Sequence, residues 1–394
     1  MKQPPIIEAK FKQSTEDFIV EEVFGDWNPK ISEQDNFNQS PDLSSLQPNP
    51  DRSFLACELE KRNIDLFSAI KILASHLHKG TDSIGYAGIK DKKAHTCQRI
   101  TIFEPDMELI KTFKHENIYL KEFRWEKRKI KMGYLDGNRF TIILRDLDKK
   151  DAIKLSTHLR RLDHFANYFG KQRFGSVRGN NAKIGKLLVK REFKKAIDAL
   201  LLDTSNKEQE EVTFARIKLK KEKDYKEALS YFPEYLRFER RILEYLAKGA
   251  EPLEVIKRLE RKSMLMYVHA LQSKIFNSIL EKALAENFDF TRKGQQKIPL
   301  MGYKTKIEEE PLKEIEKQVL EDESISLEDF DIREIPYLRI KGDLRDAVVP
   351  IGDLELELED DEENEGSKKM ILKFTLKKGT YATTFLENFF ILRE

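Results

Sequence analysis

Between about Arg178 and Tyr337 the apolar residues recur almost entirely at helical spacing, as in "KKAIDALLLD", "PLEVIKRLERKSMLMYVHALQSKIFNSILEKALAE" and "PLKEIEKQVLEDE". On either side the apolar residues fall in short runs bounded by turn formers: "DFIVEEV", "SFLACELEKR", "CQRITIF" and "MILKFTL". A chain divided in this way folds as a sheet-bearing body interrupted by a helical one. At 394 residues it is also too long for one ordinary domain. The strand-rich parts contain helices without a regular βαβ rhythm. "NIDLFSAIKILASHLHKG" predicts a helix capped at Asn63 or Asp65 with Leu66, Ile70, Ile72, Leu73 and Leu77 at helical spacing, ending by Gly80. Further helices are predicted over Asp151–Tyr168 and over the closing "TTFLENFF". "IYLKEFRWEKRKIKMGYLDGNRFTIILRDL" predicts strand, turn, strand, with "LDGNRF" as the turn. The expected class is α+β, a central mixed and mainly antiparallel sheet made of residues 1–177 and 345–394, with a mostly α-helical insertion over 178–344.

Charge is informative only through its distribution, because 71 basic residues nearly cancel 69 acidic ones. "KEFRWEKRKIK" holds Lys121, Arg124, Lys127, Arg128, Lys129 and Lys131, with Phe123 and Trp125 interleaved. On a continuous strand Arg124 and Arg128 would share one face and Lys127, Lys129 and Lys131 the other. "GKQRFGSVRGNNAKIGK", which includes Arg173, repeats the basic type with glycines that let a backbone approach a phosphate. Each stretch also fits an exposed charged surface. Together they point to a nucleic-acid partner. By contrast, "ELELEDDEENE" within 355–365 carries eight acids and no base and reads as a solvated loop or hairpin tip. The segment from Asn28 to Arg52 is polar, rich in Pro, Ser and Asn, and reads as a long loop.

Several classes of chemistry have no signature in the chain. It has no phosphate-binding GxxxxGK[ST] loop, no dinucleotide fingerprint and no GxSxG elbow. His76 and His78 are two apart on a helix and face different ways, so they make no zinc pair. The two cysteines, Cys57 and Cys97, define neither a disulfide framework nor a metal cluster. No cofactor or metal is expected. "MKQPPIIEAKFKQ" lacks a signal-peptide core, and no segment approaches the roughly 20 apolar residues of a membrane span. The expectation is a cytoplasmic protein with no membrane partner.

One short stretch carries an unusual acid. "GYAGIKDKKAHTCQ" places Asp91 between Lys90 and the pair Lys92–Lys93, after Gly85 and Gly88. The residues alone fit a plain turn. They fit less readily a carboxylate kept ionised by lysines and poised as nucleophile or base.

"GYAGIKDKKAHTCQ" resembles the catalytic motif of the TruD family of tRNA pseudouridine synthases. Four more stretches resemble the family's blocks in the same order: "TEDFIVEEV", "KRKIKMGYLDGNRFTIILR", "NYFGKQRFG" and "LKKGTYATTFLENFF". The resemblance implies an RNA-modifying isomerase that converts uridine to pseudouridine in tRNA, typically at position 13. The N1–C1′ bond breaks, the base turns, and C5 bonds to C1′, with no cofactor and with Asp91 as the catalytic carboxylate. It implies that Phe18, Asn138, Phe140 and Tyr381 line the pocket of a flipped-out uridine. Tyr381 stands where many members have Phe. Lys12 matches a family lysine that pairs with Asp91 or a phosphate. Arg124, Lys127, Arg128, Lys129 and Arg173 are expected to follow the RNA backbone, and the insertion is the family's own extra domain, enclosing with the first a basic cleft. Two other readings remain open: a non-catalytic RNA-binding protein that keeps the fold, and an enzyme that cleaves the glycosidic bond with the same carboxylate.

Overall fold

The computed structural model of the protein describes residues 6–393 apart from 48, 50, 293–296 and 308–311. Pro48 and Pro50 of the polar loop, and Pro311 at the head of "PLKEIEKQVLEDE", lie outside the described residues. The chain forms two compact units, one running to Phe165 and resuming at Val349, the other spanning Ala166–Val348.

In chain order the first unit opens with β1 (Ile7–Phe11), β2 (Phe18–Val23), β3 (Phe54–Arg62), α1 (Leu66–His76), β4 (Ile84–Tyr86) and β5 (His95–Phe103). It continues with α2 (Met107–Thr112), β6 (Ile118–Glu126), β7 (Gly137–Leu147), α3 (Lys149–Leu159) and β8 (His164–Ala166). The second unit holds α4 (Asn181–Val189), α5 (Phe193–Leu202), α6 (Glu210–Glu222), α7 (Tyr225–Tyr231), α8 (Arg237–Ala247), α9 (Pro252–Arg258) and α10 (Arg261–Ala285). After these come β9 (Lys297–Leu300), α11 (Leu312–Asp322) and β10 (Asp343–Asp346). The chain then returns through β11 (Val348–Pro350), β12 (Gly352–Asp360), β13 (Lys368–Lys377), α12 (Ala382–Leu386) and β14 (Phe390–Arg393).

Ten strands make one sheet in the order β12-β13-β7-β2-β5-β3-β6, with β4 beside β5, β1 beside β7, and β14 beside β1. The β2–β5 and β1–β14 pairs are parallel and the other pairs of this sheet antiparallel, so the sheet is mixed and mainly antiparallel. Apolar clusters cover it in two places. One gathers β1, β2, β7, β13, α3 and α12, and the other β3, β5, β6, α1 and α2. Helix α1 buries Leu66, Ala69, Ile70, Leu73 and Ala74, and the Asp65 carboxylate caps it by accepting from the Ser68 N–H. In the second unit α4 and α10 pack so closely that a Cβ at Gly185 would meet the Tyr267 carbonyl oxygen at 2.1 Å. The unit is mostly helical around one apolar core.

Four sequence expectations are corrected. β6 and β7 do not form a hairpin: β3, β5 and β2 lie between them. The "DG" signal misleads because Gly137 serves close strand approach, its Cβ position lying 2.3 Å from the Leu376 carbonyl oxygen. The predicted helix over Asp151–Tyr168 ends at Leu159, although Leu162 and Phe165 prolong the helical spacing; Phe165 enters the core from β8. Half of the acidic segment is strand, with Leu354, Leu356 and Leu358 turned to the core between outward glutamates of β12. The closing helix is only five residues long and gives way to β14.

Candidate active site

Strand register places three of the pocket residues expected from the sequence, Phe18, Asn138 and Phe140, on one face of the sheet. Phe18, Val20 and Glu22 of β2 stand opposite Ile142, Phe140 and Asn138 of β7. Across the neighbouring strands, Phe374 lies beside Phe140, Thr96 beside Val20, and Lys61 beside Thr96. Residues directly opposed in a ladder project to the same side. One continuous row therefore runs Lys61, Thr96, Val20, Phe140, Phe374. Phe18 and Phe140 are buried, with ring centroids 6.2 Å apart, and Phe140 stacks on Phe374 at 5.4 Å. The Asn138 Oδ1 atom is buried with no hydrogen-bond partner among the described residues. It is an acceptor facing the same side as the aromatic rings. Tyr381 is the N-cap residue of α12 and is 70% exposed, so it is not a core ring.

Asp91 sits in the connection between β4 and β5, residues 87–94, with its side chain 58% exposed. The Lys12 Nζ approaches its Oδ1 at 3.7 Å and lies 4.1 Å from the centre of the Phe18 ring. Lys12 itself is 7% exposed and adopts a left-handed backbone, φ 58°. An ammonium held against an aromatic face thus sets a fixed positive charge beside a solvent-accessible carboxylate. The Lys61 Nζ donates to the main-chain carbonyl of Asp91 at 2.8 Å.

The lysines nearest in sequence play a different part from the one expected. Lys90 turns inward and its Nζ meets Glu22 Oε1 at 2.6 Å, both side chains being buried. Burial pushes the Glu22 carboxyl above the usual carboxylate range, with Lys90 and the Arg99 N–H acting against that push. Lys90 is thus not part of a cationic pocket around Asp91. Lys92 and Lys93 are exposed. The glycines also differ from expectation, since neither Gly85 nor Gly88 adopts a left-handed backbone. Gly85 is needed for close approach, since a Cβ there would meet the Ile130 carbonyl oxygen at 2.5 Å, whereas at Gly88 the nearest atom to a Cβ is the tip of the Lys90 side chain.

The basic run divides. β6 ends at Glu126, so Lys127–Lys131 lie in a loop and the alternating faces expected of a continuous strand do not form. Within β6 the phase is also broken at Glu122, whose φ of 51° accompanies a register shift against β3. Arg124 pairs with Asp26 at 2.7 Å and Glu126 at 2.9 Å and lies 4.2 Å above the Trp27 ring. Lys121 pairs with Glu60 at 2.9 Å. Lys127 and Arg128 are exposed, and Lys129 donates to the Asp82 carbonyl. With Arg52, Arg99 and Lys131 they line a depression of about 650 Å³ in which Glu126 is the one carboxylate among its lining residues. Arg173 belongs to the second unit, its guanidinium 5.2 Å from the Phe169 ring.

Lys61, Glu22 and the cluster of Glu60 with His95 and Lys121 went unnoticed in the sequence. The available signal was the charge pattern of "CELEKR", which puts Glu58, Glu60 and Lys61 in a strand that is buried almost throughout. Burial alone would raise Glu60, yet His95, Ser32 and Lys121 hold its carboxyl down at about 2. Both cysteines are buried and free. Among the described residues no cluster of His, Cys, Asp and Glu could hold a metal ion, and no helix is long and apolar enough to cross a membrane.

The family model for tRNA pseudouridine synthase D (TruD) matches residues 1–298 and 292–389. A Methanopyrus kandleri protein named for tRNA pseudouridine synthase D is 34% identical over 338 residues, covering 83% of each chain. A Methanocaldococcus jannaschii protein named in the same way is 32% identical, covering 96% of this chain and 94% of its own. The crystal structure of a Methanosarcina mazei protein described as tRNA pseudouridine synthase D superposes with a TM-score of 0.85 at 27% identity, over 98% of this chain and 94% of that one.

Proposed function

The chain belongs to the TruD family of tRNA pseudouridine synthases, RNA-modifying isomerases, and from that premise we propose that it isomerises a single tRNA uridine, at position 13, with Asp91 as the acting carboxylate. The observation that carries the reading is the environment of Asp91: an accessible carboxylate, its Oδ1 3.7 Å from a buried ammonium, on a loop fastened to the sheet by buried side chains. A lone carboxylate suffices for this reaction. It assists loss of uracil from C1′ or adds to the base, and afterwards helps remove the C5 proton. Two carboxylates, as in most glycoside hydrolysis, are not required.

The target uridine must leave its stack to reach Asp91. In this reading the base lies over the face bearing Phe18 and Phe140, with Asn138 offering its amide to the uracil edge. Tyr381, exposed at the start of α12, is the ring free to close over it. Lys12 sets its positive charge beside Asp91. Lys127, Arg128 and Lys129 take RNA phosphates at the basic depression, and Arg173, in the helical unit that is the family's inserted domain, is a separate phosphate contact. Arg124, paired to two carboxylates, orders the depression's wall and adds less to phosphate binding.

The test is incubation with unmodified tRNA transcript, without added metal or nucleotide, followed by chemical labelling and primer extension. One new pseudouridine in the D arm, lost in Asp91→Asn, supports the reading. Release of free uracil, or tRNA binding with no product on any cellular RNA, overturns it.

A further inference from the structure

We infer that Lys61 is the positioning residue that fixes Asp91 at the working height of the site; the inference rests on the reading of Asp91 above. Lys61 is fully buried. Its Nζ donates to two main-chain carbonyls, Asp91 at 2.8 Å and Ile64 at 2.9 Å. It therefore ties the catalytic loop to the turn between β3 and α1. The loop has other anchors: the Gln98 amide donates to the Gly88 carbonyl at 3.1 Å, Lys90 holds Glu22, and the Gly133 N–H reaches the Ala87 carbonyl at 2.7 Å. Of these contacts, only that of Lys61 is made to the backbone of Asp91 itself.

The choice of residue is informative. A buried ammonium bonded only to carbonyls is a costly way to fill a sheet position, and an apolar side chain of similar length would fill the same volume without that cost. The groups facing Lys61 sharpen the point. Thr96 on β5 and Ile118 on β6 stand opposite it, and neither is charged. Asp91, Lys90 and Asp65 are the charged groups that act on it. Burial pushes its ammonium down to about 8, with Asp91 opposing that push, Lys90 adding to it and Asp65 opposing it. Charge-assisted bonds from the ammonium to the two carbonyls are about twice as strong as those a neutral amine would make.

The experiment is single-turnover isomerisation of unmodified tRNA transcript with full-length enzyme in excess, for wild type, Lys61→Met and Asp91→Asn. Thermal unfolding and tRNA affinity are measured in parallel. For Lys61→Met the expected result is a folded protein with tRNA affinity within a few-fold of wild type and a rate at saturating enzyme about 100-fold lower, as for a reacting group displaced by about 1 Å. A wild-type rate in Lys61→Met, or a loss confined to affinity, overturns the inference. Should Lys61→Met fail to fold, the wild-type pH profile decides. A rate at saturation that falls above about pH 8 supports the inference, and a rate flat through pH 9 overturns it. An active Asp91→Asn would instead overturn the reading on which the inference rests, so the two failures are distinguishable.

Discussion

Residues 87–94 and 127–136 are both short basic connections within the sheet-bearing unit, and their lysines end in opposite circumstances. In the first, Lys90 is drawn inside to a buried glutamate, and the charges that serve Asp91 arrive from elsewhere, Lys12 ahead of β2 and Lys61 at the end of β3. In the second, Lys127 and Arg128 remain in solvent around a basic depression, while their strand neighbours Lys121 and Arg124 are neutralised by Glu60, Asp26 and Glu126. The difference teaches that a lysine's role follows from whether its own carboxylate partner is buried. A buried partner captures the charge for the fold. At Lys127 and Arg128, exposed at the depression, the charge is left for a polyanion.

The contrast can be broken most decisively at Asp91. Asp91→Asn is expected to abolish pseudouridine formation in the labelling assay while tRNA affinity by filter binding stays near wild type, because no phosphate contact is removed. A variant that loses affinity in step with activity would place Asp91 in RNA binding instead.

Next in size is the buried pair. Lys90→Met strands the Glu22 carboxylate and is expected to destabilise the protein by about 3–5 kcal/mol in denaturant unfolding. The same change at exposed Lys127 is expected to cost less than about 0.5 kcal/mol. Equal losses would show that the two loops do not differ in the way described.

Acid titration gives a third, slightly smaller effect. Glu60 is held at about 2, below its ordinary 4.5, so its contribution is present above pH 4.5 and is lost as pH falls toward 2. That contribution is on the order of 3 kcal/mol. Thermal unfolding followed between pH 5 and 2 should lose this slope in Glu60→Gln, and an unchanged slope would assign it to other carboxylates.

The smallest effect belongs to the open loop. Lys127→Ala with Arg128→Ala is expected to weaken tRNA binding and lower the salt slope of log K by about 2. Arg124→Ala is expected to leave that slope nearly unchanged, since Asp26 and Glu126 already neutralise it. Equal slopes for the two variants would mean the RNA follows a different surface.

Much of the molecule was readable before any coordinates. Helical spacing between Arg178 and Tyr337 and β-branched runs on either side are local properties, and they were enough for an α+β sheet body with a helical insertion. The motif around Asp91 was readable for a similar reason, since its residue types occur in a fixed order that needs no distant partner. The turn at "LDGN" was misread because Gly137 answers to a strand 239 residues away, where Leu376 leaves no room for a Cβ. Pairing order, the burial of Lys90 against Glu22 and the bond from Lys61 to Asp91 were decided only by tertiary structure. The two lysine contacts join residues 68 and 30 positions apart. Local propensity and spacing do not reach that far, and the fate of a charge depends on which distant dipole or carboxylate the fold lowers onto it.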